Sequence, residues 1–524
     1  MFRGPEHANG EILATIWPGD TTALPPTGVG RATLYEYVGV NGSVPSLVGV
    51  DDGSHHLIGQ CGTALGHPEG GTFTSLQGDE LFNAISAPDG LRVFFTVAAG
   101  PCEEGGYGPP TSELFASEEA TGGVRRSIAI SEPTTGPTGD CSACETNNPQ
   151  PAVFQGASED GSKVFFLSEQ HLLAGAEGLT LYVYDFNAER GKRVALVAPG
   201  VQGVSRVAEN GSRVYFVASG LATGAANPVG DVAQSGADNL FVYDTETAIT
   251  SFVGTLTGGD ATDWQVPDAR PVDASPDGRY LVFNSSADLT HSGTGGESQV
   301  FEYDAVAKRL VLASEVQGGA GGVFPATIVF PRYTEHVDPS PQPSSVSDDG
   351  SVVVFQSDAA LTIQAIPGYN NVYEYRAGHV YLISDGQDRS FKDGGFPSVS
   401  LVGVDGSGRD IFFTTADQLV PQDGDTQEDV YDARSEGGFL PEQAPVCEGE
   451  ACQGPLAPAL SVTPAGSLGQ VPGEQVVEPP ARLTKKVSRS KKTKHKVKKT
   501  KHTKKKATRA RHGKSGAVLG GRRR

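Results

Sequence analysis

No apolar run in this chain is long enough to cross a bilayer as a helix, and no stretch sustains a helical apolar period. Familiar catalytic signatures are missing as well. There is no G-x-S-x-G elbow and no H-E-x-x-H, and the GKS at Gly513 to Ser515 lacks the glycine that a phosphate-binding loop needs five residues earlier. Six cysteines in 524 residues are too few for a disulfide-built scaffold. Of the 11 histidines, only His55 and His56 are adjacent, and His495, His502 and His512 lie among the lysines at the C-terminal end. The opening MFRGPEHANG has no basic segment followed by an apolar stretch, so this chain shows no signal peptide.

The apolar runs that do occur, VFFLS, LYVYD, VYFVA, FVYD, YLVF and VVVFQ, are strand-sized and rich in β-branched and aromatic residues. They belong to a repeat. At Ser275 to Phe283 the chain reads SPDGRYLVF, then QVFEYD at Gln299 to Asp304 and RLVLAS at Arg309 to Ser314. An Asp-Gly turn, a strand, a polar loop and two more strands account for this, and Pro271 to Ser275 supplies a fourth, small-residue strand before the turn. A glycine lies five residues before an aromatic strand position at Gly90/Phe95, Gly161/Phe166, Gly211/Phe216, Gly278/Phe283, Gly350/Phe355 and Gly408/Phe413, with a weaker copy at Gly10/Thr15. An aromatic position in a later strand follows each: Tyr37, Phe115, Tyr184, Tyr243, Tyr303, Tyr375 and Tyr431.

Seven such units, with loops of varying length, predict an all-β fold: a closed β-propeller of about seven four-stranded blades over residues 1–439. A lone four-stranded sheet cannot bury both faces, whereas a ring of them can. Because Asn9-Gly10 already forms the first turn, the inner strand of that unit has three sources that stay open. They are Phe2 and its neighbours, the last unit, or residues upstream of this chain.

Charge divides the chain more sharply than hydropathy. Residues 481–524 carry 20 Lys or Arg and no Asp or Glu, leaving 21 basic against 62 acidic residues in 1–480, a net of about −41. Residues 440–480 read as a Cys-containing segment and a Pro/Gly linker. Like charges three and four apart, with no apolar stripe to bury, predict a disordered tail over 481–524. It reads as a solvated appendage or as an arm for polyanions: nucleic acid, anionic lipid headgroups or acidic wall polymers. No aromatics are interleaved for base stacking, so no specific nucleic-acid module is expected.

Cys141 with Cys144, and Cys447 with Cys452, sit close together in polar, turn-like sequence. Local disulfides in an exported protein are the expectation. A redox C-x-x-C lacks the preceding strand and following helix, and a shared four-sulfur zinc site would need the two loops to meet. Cys61 and Cys102 occupy loops between units and are candidates to pair with each other. PQDGDTQEDVYD places Asp423, Asp425 and Asp429 on a Gly-containing loop, the alternate oxygen ligands that suit calcium, although the same pattern also describes a solvated loop. Asp288, Asp358 and Asp417 recur in SSADLT, QSDAAL and TTADQL, where an Asp side chain bonded to its own backbone is the expected turn-former. Among the inner-strand candidates NAISA, PVDAS and SSVS, Asp273 is the only carboxylate.

The Ser-Pro-Asp-Gly turn, its apolar strand and the Tyr-rich strand ending in Asp resemble the WD40-like propeller repeat of the translocation protein TolB and many exported bacterial proteins. Ser86-Ala87-Pro88-Asp89-Gly90, Ser158-Glu159-Asp160-Gly161 and Ser347-Asp348-Asp349-Gly350 match that turn. The resemblance spans roughly Glu11 to Phe439. The globular domain that precedes the propeller in TolB has no counterpart, so its transport partners are not carried over. With the Lys-rich tail, the chain is similar to surface or secreted propeller proteins of high-GC soil bacteria. The resemblance implies an extracellular or cell-surface protein, a monomer, that binds a protein or glycan through its loops. The alternative class is a propeller enzyme, such as a metal-assisted hydrolase or lactonase, using the axial pocket.

Overall fold

The computed structural model describes residues 11–16, 33–38, 46–50, 57–66, 82–86, 92–101, 108–120, 124–260, 271–294, 296–322, 324–329, 344–387, 391–392, 396–397, 399–435 and 437–438. The chain divides into two units, Met1–Pro441 and Glu442–Arg524, and the second lies outside the described residues. With it lie Cys447, Cys452 and the basic tail. No helix among the described residues is long and apolar enough to cross a membrane.

The described strands form antiparallel sheets in chain order, consistent with the blades of a β-propeller. The first holds β1 (Glu11–Ile16), β2 (Thr33–Val38) and β3 (Ser46–Leu47). The second holds β4 (Thr63–Leu65), β5 (Arg92–Val97), β6 (Glu113–Ala120) and β7 (Val124–Ala129). The third runs β8 (Ala152–Ala157), β9 (Lys163–Ser168), β10 (Thr180–Asp185) and β11 (Val194–Ala198). The fourth has β12 (Val201–Val207), β13 (Arg213–Ala218), β14 (Asn239–Asp244) and β15 (Ile249–Thr255). The fifth has β16 (Val272–Ala274), β17 (Tyr280–Ser285), β18 (Gln299–Asp304) and β19 (Arg309–Leu312). The sixth is β20 (Ala326–Thr327), β21 (Val352–Ser357), β22 (Asn371–Arg376) and β23 (His379–Leu382). A small hairpin, β24 (Phe391–Lys392) and β25 (Phe396–Pro397), precedes the seventh sheet of β26 (Ser400–Val404), β27 (Asp410–Thr415) and β28 (Asp429–Arg434). Among the described residues the two terminal sheets thus have three strands, not the four expected of every unit.

The Ser-x-Asp-Gly turn explains itself locally. Ser275 Oγ donates to Asp277 Oδ1 at 2.7 Å and accepts from Tyr280 N at 3.0 Å, Asp277 Oδ1 accepts from Arg279 N, and Gly278 N closes the turn on Ser275 O. Ser158/Asp160 and Ser347/Asp349 repeat the arrangement. The hydroxyl and carboxylate satisfy backbone donors that the tight turn would leave orphaned. Glycines 161, 211, 278, 350 and 408 all have φ between 63° and 69°. Conformation is only half of the requirement, because a Cβ on Gly161 would lie 2.8 Å from Ser86 Cβ, and one on Gly211 2.9 Å from Ser158 Cβ. Each of these two turns presses on the first turn residue of the preceding sheet.

Above the turns the sheets pack face to face. Phe94, Phe154 and Tyr182 share a core between the second and third sheets, Phe165 and Phe216 one between the third and fourth, and Tyr215 and Phe283 one between the fourth and fifth. Val282 and Phe355 continue the series, as do Val354 and Phe413. Six sheets carry a stacked cross-strand aromatic pair: Phe95–Phe115, Phe166–Tyr182, Phe216–Phe241, Phe283–Phe301, Phe355–Tyr373 and Phe413–Tyr431, with ring centroids 5.4–5.8 Å apart. Such pairs add roughly 0.5–1.5 kcal/mol each beyond the area they bury. Tyr184, Tyr243, Tyr303 and Tyr375, the aromatic positions expected in a later strand, lie in β10, β14, β18 and β22, two residues beyond the ring that stacks on the second strand and on the same side of the sheet.

After four of the second strands a hydroxyl caps the loop, Ser168, Ser285, Ser357 and Thr415 each accepting from the backbone N–H two residues on, and Asp288 accepts from Ser292 N and Gly293 N as expected of a turn-forming aspartate. At the opposite end, a cation and a carboxylate pair across the second and third strands: Arg92–Glu118 at 3.0 Å, Arg213–Asp244 at 3.1 Å and Arg279–Asp304 at 2.9 Å. In the seventh sheet the signs are exchanged, Asp410 facing Arg434.

Gly211→Ala is expected to cost about 2–4 kcal/mol, combining left-handed strain with a clash against Ser158. Gly230→Ala, at φ 99° with nothing within 4 Å of the added methyl, is the control and costs only about 1–2 kcal/mol of left-handed strain. Urea unfolding of both variants checks the difference, and equal losses would show that the turn contact contributes nothing.

Candidate functional site

A propeller offers two places for chemistry, its axis and its loops. At the axis the inner strands depart from regular pairing: β8 is bulged at Gln155, β12 between Val204 and Arg206, and β26 at Val402. In the sixth sheet the inner strand is divided between Ala326–Thr327 and the bridge of Val346 to Val353. These irregularities bring together side chains from four sheets. Arg206 places its guanidinium 4.8 Å from the centroid of the Phe82 ring and 3.5 Å from Asp273 Oδ1. Asp273 Oδ2 accepts from Ser344 Oγ at 2.9 Å and Ser345 N at 2.7 Å, and Oδ1 accepts from its neighbour Ala274 N at 2.8 Å. Ser344 in turn bridges to Val404 of the seventh sheet.

Phe82, Arg206, Asp273 and Ser344 thus form a continuous stitch across the axial strands. Both carboxylate oxygens of Asp273 thus face donors of the protein itself. Outside the stitch lie Glu159, Glu209 and Asp348, second residues of their turns and exposed. Adjacent turns are joined there by backbone hydrogen bonds, Glu159 N to Glu209 O at 2.5 Å and Asp348 N to Gly406 O at 2.8 Å. Burial, followed by the charge of Glu159, raises the Glu209 carboxyl above its ordinary range, with Arg206 opposing the shift. Sequence reasoning found Asp273 but missed Arg206, whose signal is a lone cation on the otherwise small and apolar strand VQGVSRV.

In the loops, the structure brings Asp423, Asp425 and Asp429 together, with one carboxylate oxygen of each within 4.8 Å of the others. Asp423 is half-buried and accepts from Tyr431 Oη at 2.5 Å, while Asp425 and Asp429 are exposed. Asp423 Oδ1 also accepts from Asp425 N and Asp425 Oδ1 from Gln427 N. Burial and the bond to Asp423 push the Tyr431 phenol above its usual range, so it remains a donor at neutral pH. Three hard oxygen donors fit a hard cation in kind, but calcium takes 6–8 oxygens, and two of these groups are fully in water.

Cys141 and Cys144 are joined by a disulfide. Their surroundings correct the expectation of a polar loop. Both residues are buried, 2% and 8% exposed, in the core shared with Tyr182, Tyr184 and Phe186. The bond closes an excursion held to the third sheet by Arg193–Asp140 at 2.9 Å, Ser142 N to Gly191 O and Glu145 N to Leu172 O. Cys61 is disulfide-bonded and buried, with its partner outside the described residues. The predicted bridge between Cys447 and Cys452 lies outside the described residues.

No family model matches the chain, and no curated protein matches it. Solved structures match distantly, on propeller domains. TolB from Acinetobacter baumannii is 13% identical, over 62% of this chain and 60% of that one, with a TM-score of 0.25. A prolyl endopeptidase is 13% identical over 68% of this chain and 42% of its own, at TM-score 0.30. The β-propeller domain of the Trilobed protease from Pyrococcus furiosus is 11% identical over 50% and 91%, at 0.20. The chain thus spans less than two thirds of the first two proteins. Likeness at this level concerns the fold and says nothing about activity.

Two outcomes test these sites. Asp273→Ala, which strips the donors of Ser344, Ser345 and Arg206 of their acceptor, is expected to cost about 2–3 kcal/mol in urea unfolding, against about 1 kcal/mol for Ser344→Ala. Titration calorimetry with millimolar calcium is expected to show weak binding that disappears when Asp423, Asp425 and Asp429 are all changed to Asn. Equal heats from both proteins would remove the site.

Proposed function

We propose that this chain is a non-enzymatic binding or scaffold protein, a propeller that meets a protein or glycan through its loops and is tethered by its basic tail to a polyanionic surface. The observation that carries the reading is the state of the axis. Asp273, the carboxylate on the inner strands where a propeller enzyme would keep its acid, base or metal ligand, is bonded on both oxygens. Binding, by contrast, needs only shape and loops, and the loops vary in length around a recurring turn and strand pair.

Segregated charge supplies the second element. A body carrying about −41 over residues 1–480 is repelled by any polyanion, so approach requires an arm such as the 20 positive groups of 481–524. A Pro- and Gly-containing linker provides reach, and counterion release provides affinity without a fixed interface. On this reading the protein acts outside the cell or at its surface, and the tail recognises no specific nucleic-acid sequence.

Cosedimentation with isolated cell walls, anionic vesicles and duplex DNA tests the tether. Intact protein is expected to be retained at low salt and released near ~1 M salt, where the Debye length is ~3 Å, whereas protein ending at residue 480 is not retained. Equal retention of both forms would reduce the tail to a solubilising appendage.

A further inference from the structure

The last rungs of the β6–β7 ladder contain an arrangement that neither the axis nor the acidic loop explains. Phe115 pairs with Ala129, and beyond that rung Ile130 N and Ser131 N both reach Leu114 O, at 2.9 and 3.3 Å, while Leu114 N donates to Ser131 Oγ at 3.0 Å. The bulge advances one strand by a residue. Glu113 and Glu132 therefore follow immediately on opposite sides of the ladder, and like charges so placed repel.

Among the described residues no cation neutralises them. Glu113 is 8% exposed, and Glu132 Oε1 is buried without a hydrogen-bond partner. Among the described residues the charged group that bears on Glu113 is Glu132, and the group that bears on Glu132 is the Gln170 amide, with no Lys, Arg or His on either. Gln170 itself is spent on the excursion that Glu132 begins, donating from Nε2 to Glu145 O and accepting from Gln150 N. A buried carboxylate pair without a counter-ion is stable when it holds a proton, which removes one charge and makes one oxygen a donor to the other group.

We infer that Glu113 and Glu132 share a proton that latches the 131–151 excursion to the second sheet, so that losing it loosens this segment. Burial, with Glu132 second, pushes the Glu113 carboxyl up to about 7 from 4.5, and burial raises Glu132 as well. The folded state then binds the proton more tightly than the unfolded chain. The contribution is complete below the unfolded value of 4.5 and is lost as pH rises through about 7. The latch thus opens on the alkaline side, the reverse of an ordinary salt-bridged carboxylate.

Hydrogen exchange of the full-length protein, read by mass spectrometry at about pH 5.5 and pH 8 and corrected for intrinsic chemistry, tests this directly. Protection of peptides within 131–150 is expected to fall roughly tenfold or more in the wild type between those values, as a pKa shift of a unit or more requires. In Glu113→Gln the fall should be smaller, because only the buried Glu132 carboxyl still titrates, and in Glu132→Gln it should be smaller too, because only burial still acts on Glu113. Peptides from the fourth and fifth sheets are the internal reference. Unchanged protection in the wild type overturns the inference even if neither variant folds. A fall in Glu113→Gln equal to that of the wild type, or one in Glu132→Gln equal to it, overturns it too.

Discussion

Side-chain volume is excluded at the first turns of neighbouring sheets, and much of the packing depends on that exclusion. Glycines 161 and 211 occupy left-handed backbone while meeting the Cβ of a serine in the sheet before. A larger residue would hold adjacent sheets apart at the axial end, and the aromatic faces behind them could not then interdigitate. The serine is equally constrained, since its hydroxyl must turn back to the carboxylate and backbone of its own turn. Local hydrogen bonding and inter-sheet spacing are therefore set by the same few atoms.

Beyond that contact, polar groups seal the ends of each sheet and apolar groups fill the middle. Cross-strand pairs such as Arg279–Asp304 lie at the turn end, hydroxyl-capped loops at the other, and stacked rings between them. The exchange of Asp410 and Arg434 in the seventh sheet shows that the attraction matters and its direction does not. Buried Tyr182 and Tyr373 do a second task, each donating its hydroxyl to a loop carbonyl, at 2.5 and 2.6 Å, and accepting from a loop N–H. In the seventh sheet the equivalent Tyr431 also reaches Asp423, which ties the acidic loop to the sheet.

Function is then distributed by what the fold leaves free. At the axial strands, polar side chains hold one another, whereas the loops differ from sheet to sheet. An architecture in which the repeat supplies stability and the intervening segments supply individuality suits recognition of another molecule. The 131–151 excursion belongs to the second category, yet its buried disulfide and the Glu113–Glu132 pair give it packing of its own.

The repeat was readable because its determinants are close in sequence. Ser, Asp and Gly act within four residues, and short continuous apolar runs announce strands buried on both faces. The sheet order and the turn chemistry therefore followed from residues alone, as did the convergence of Asp423, Asp425 and Asp429 within one loop. Register was less readable, because positions two apart face the same way and spacing cannot choose between Tyr182 and Tyr184. Cys141 and Cys144 could be paired from their separation of three, but polar neighbours in sequence concealed that they are buried. The meeting of Phe82, Arg206, Asp273 and Ser344 was decided by tertiary structure alone, since these residues come from four sheets and no local pattern links them. Glu113 and Glu132 belong to the same class: a single bulge placed them opposite each other, and a bulge arises from the competition of hydrogen bonds that only the assembled ladder resolves.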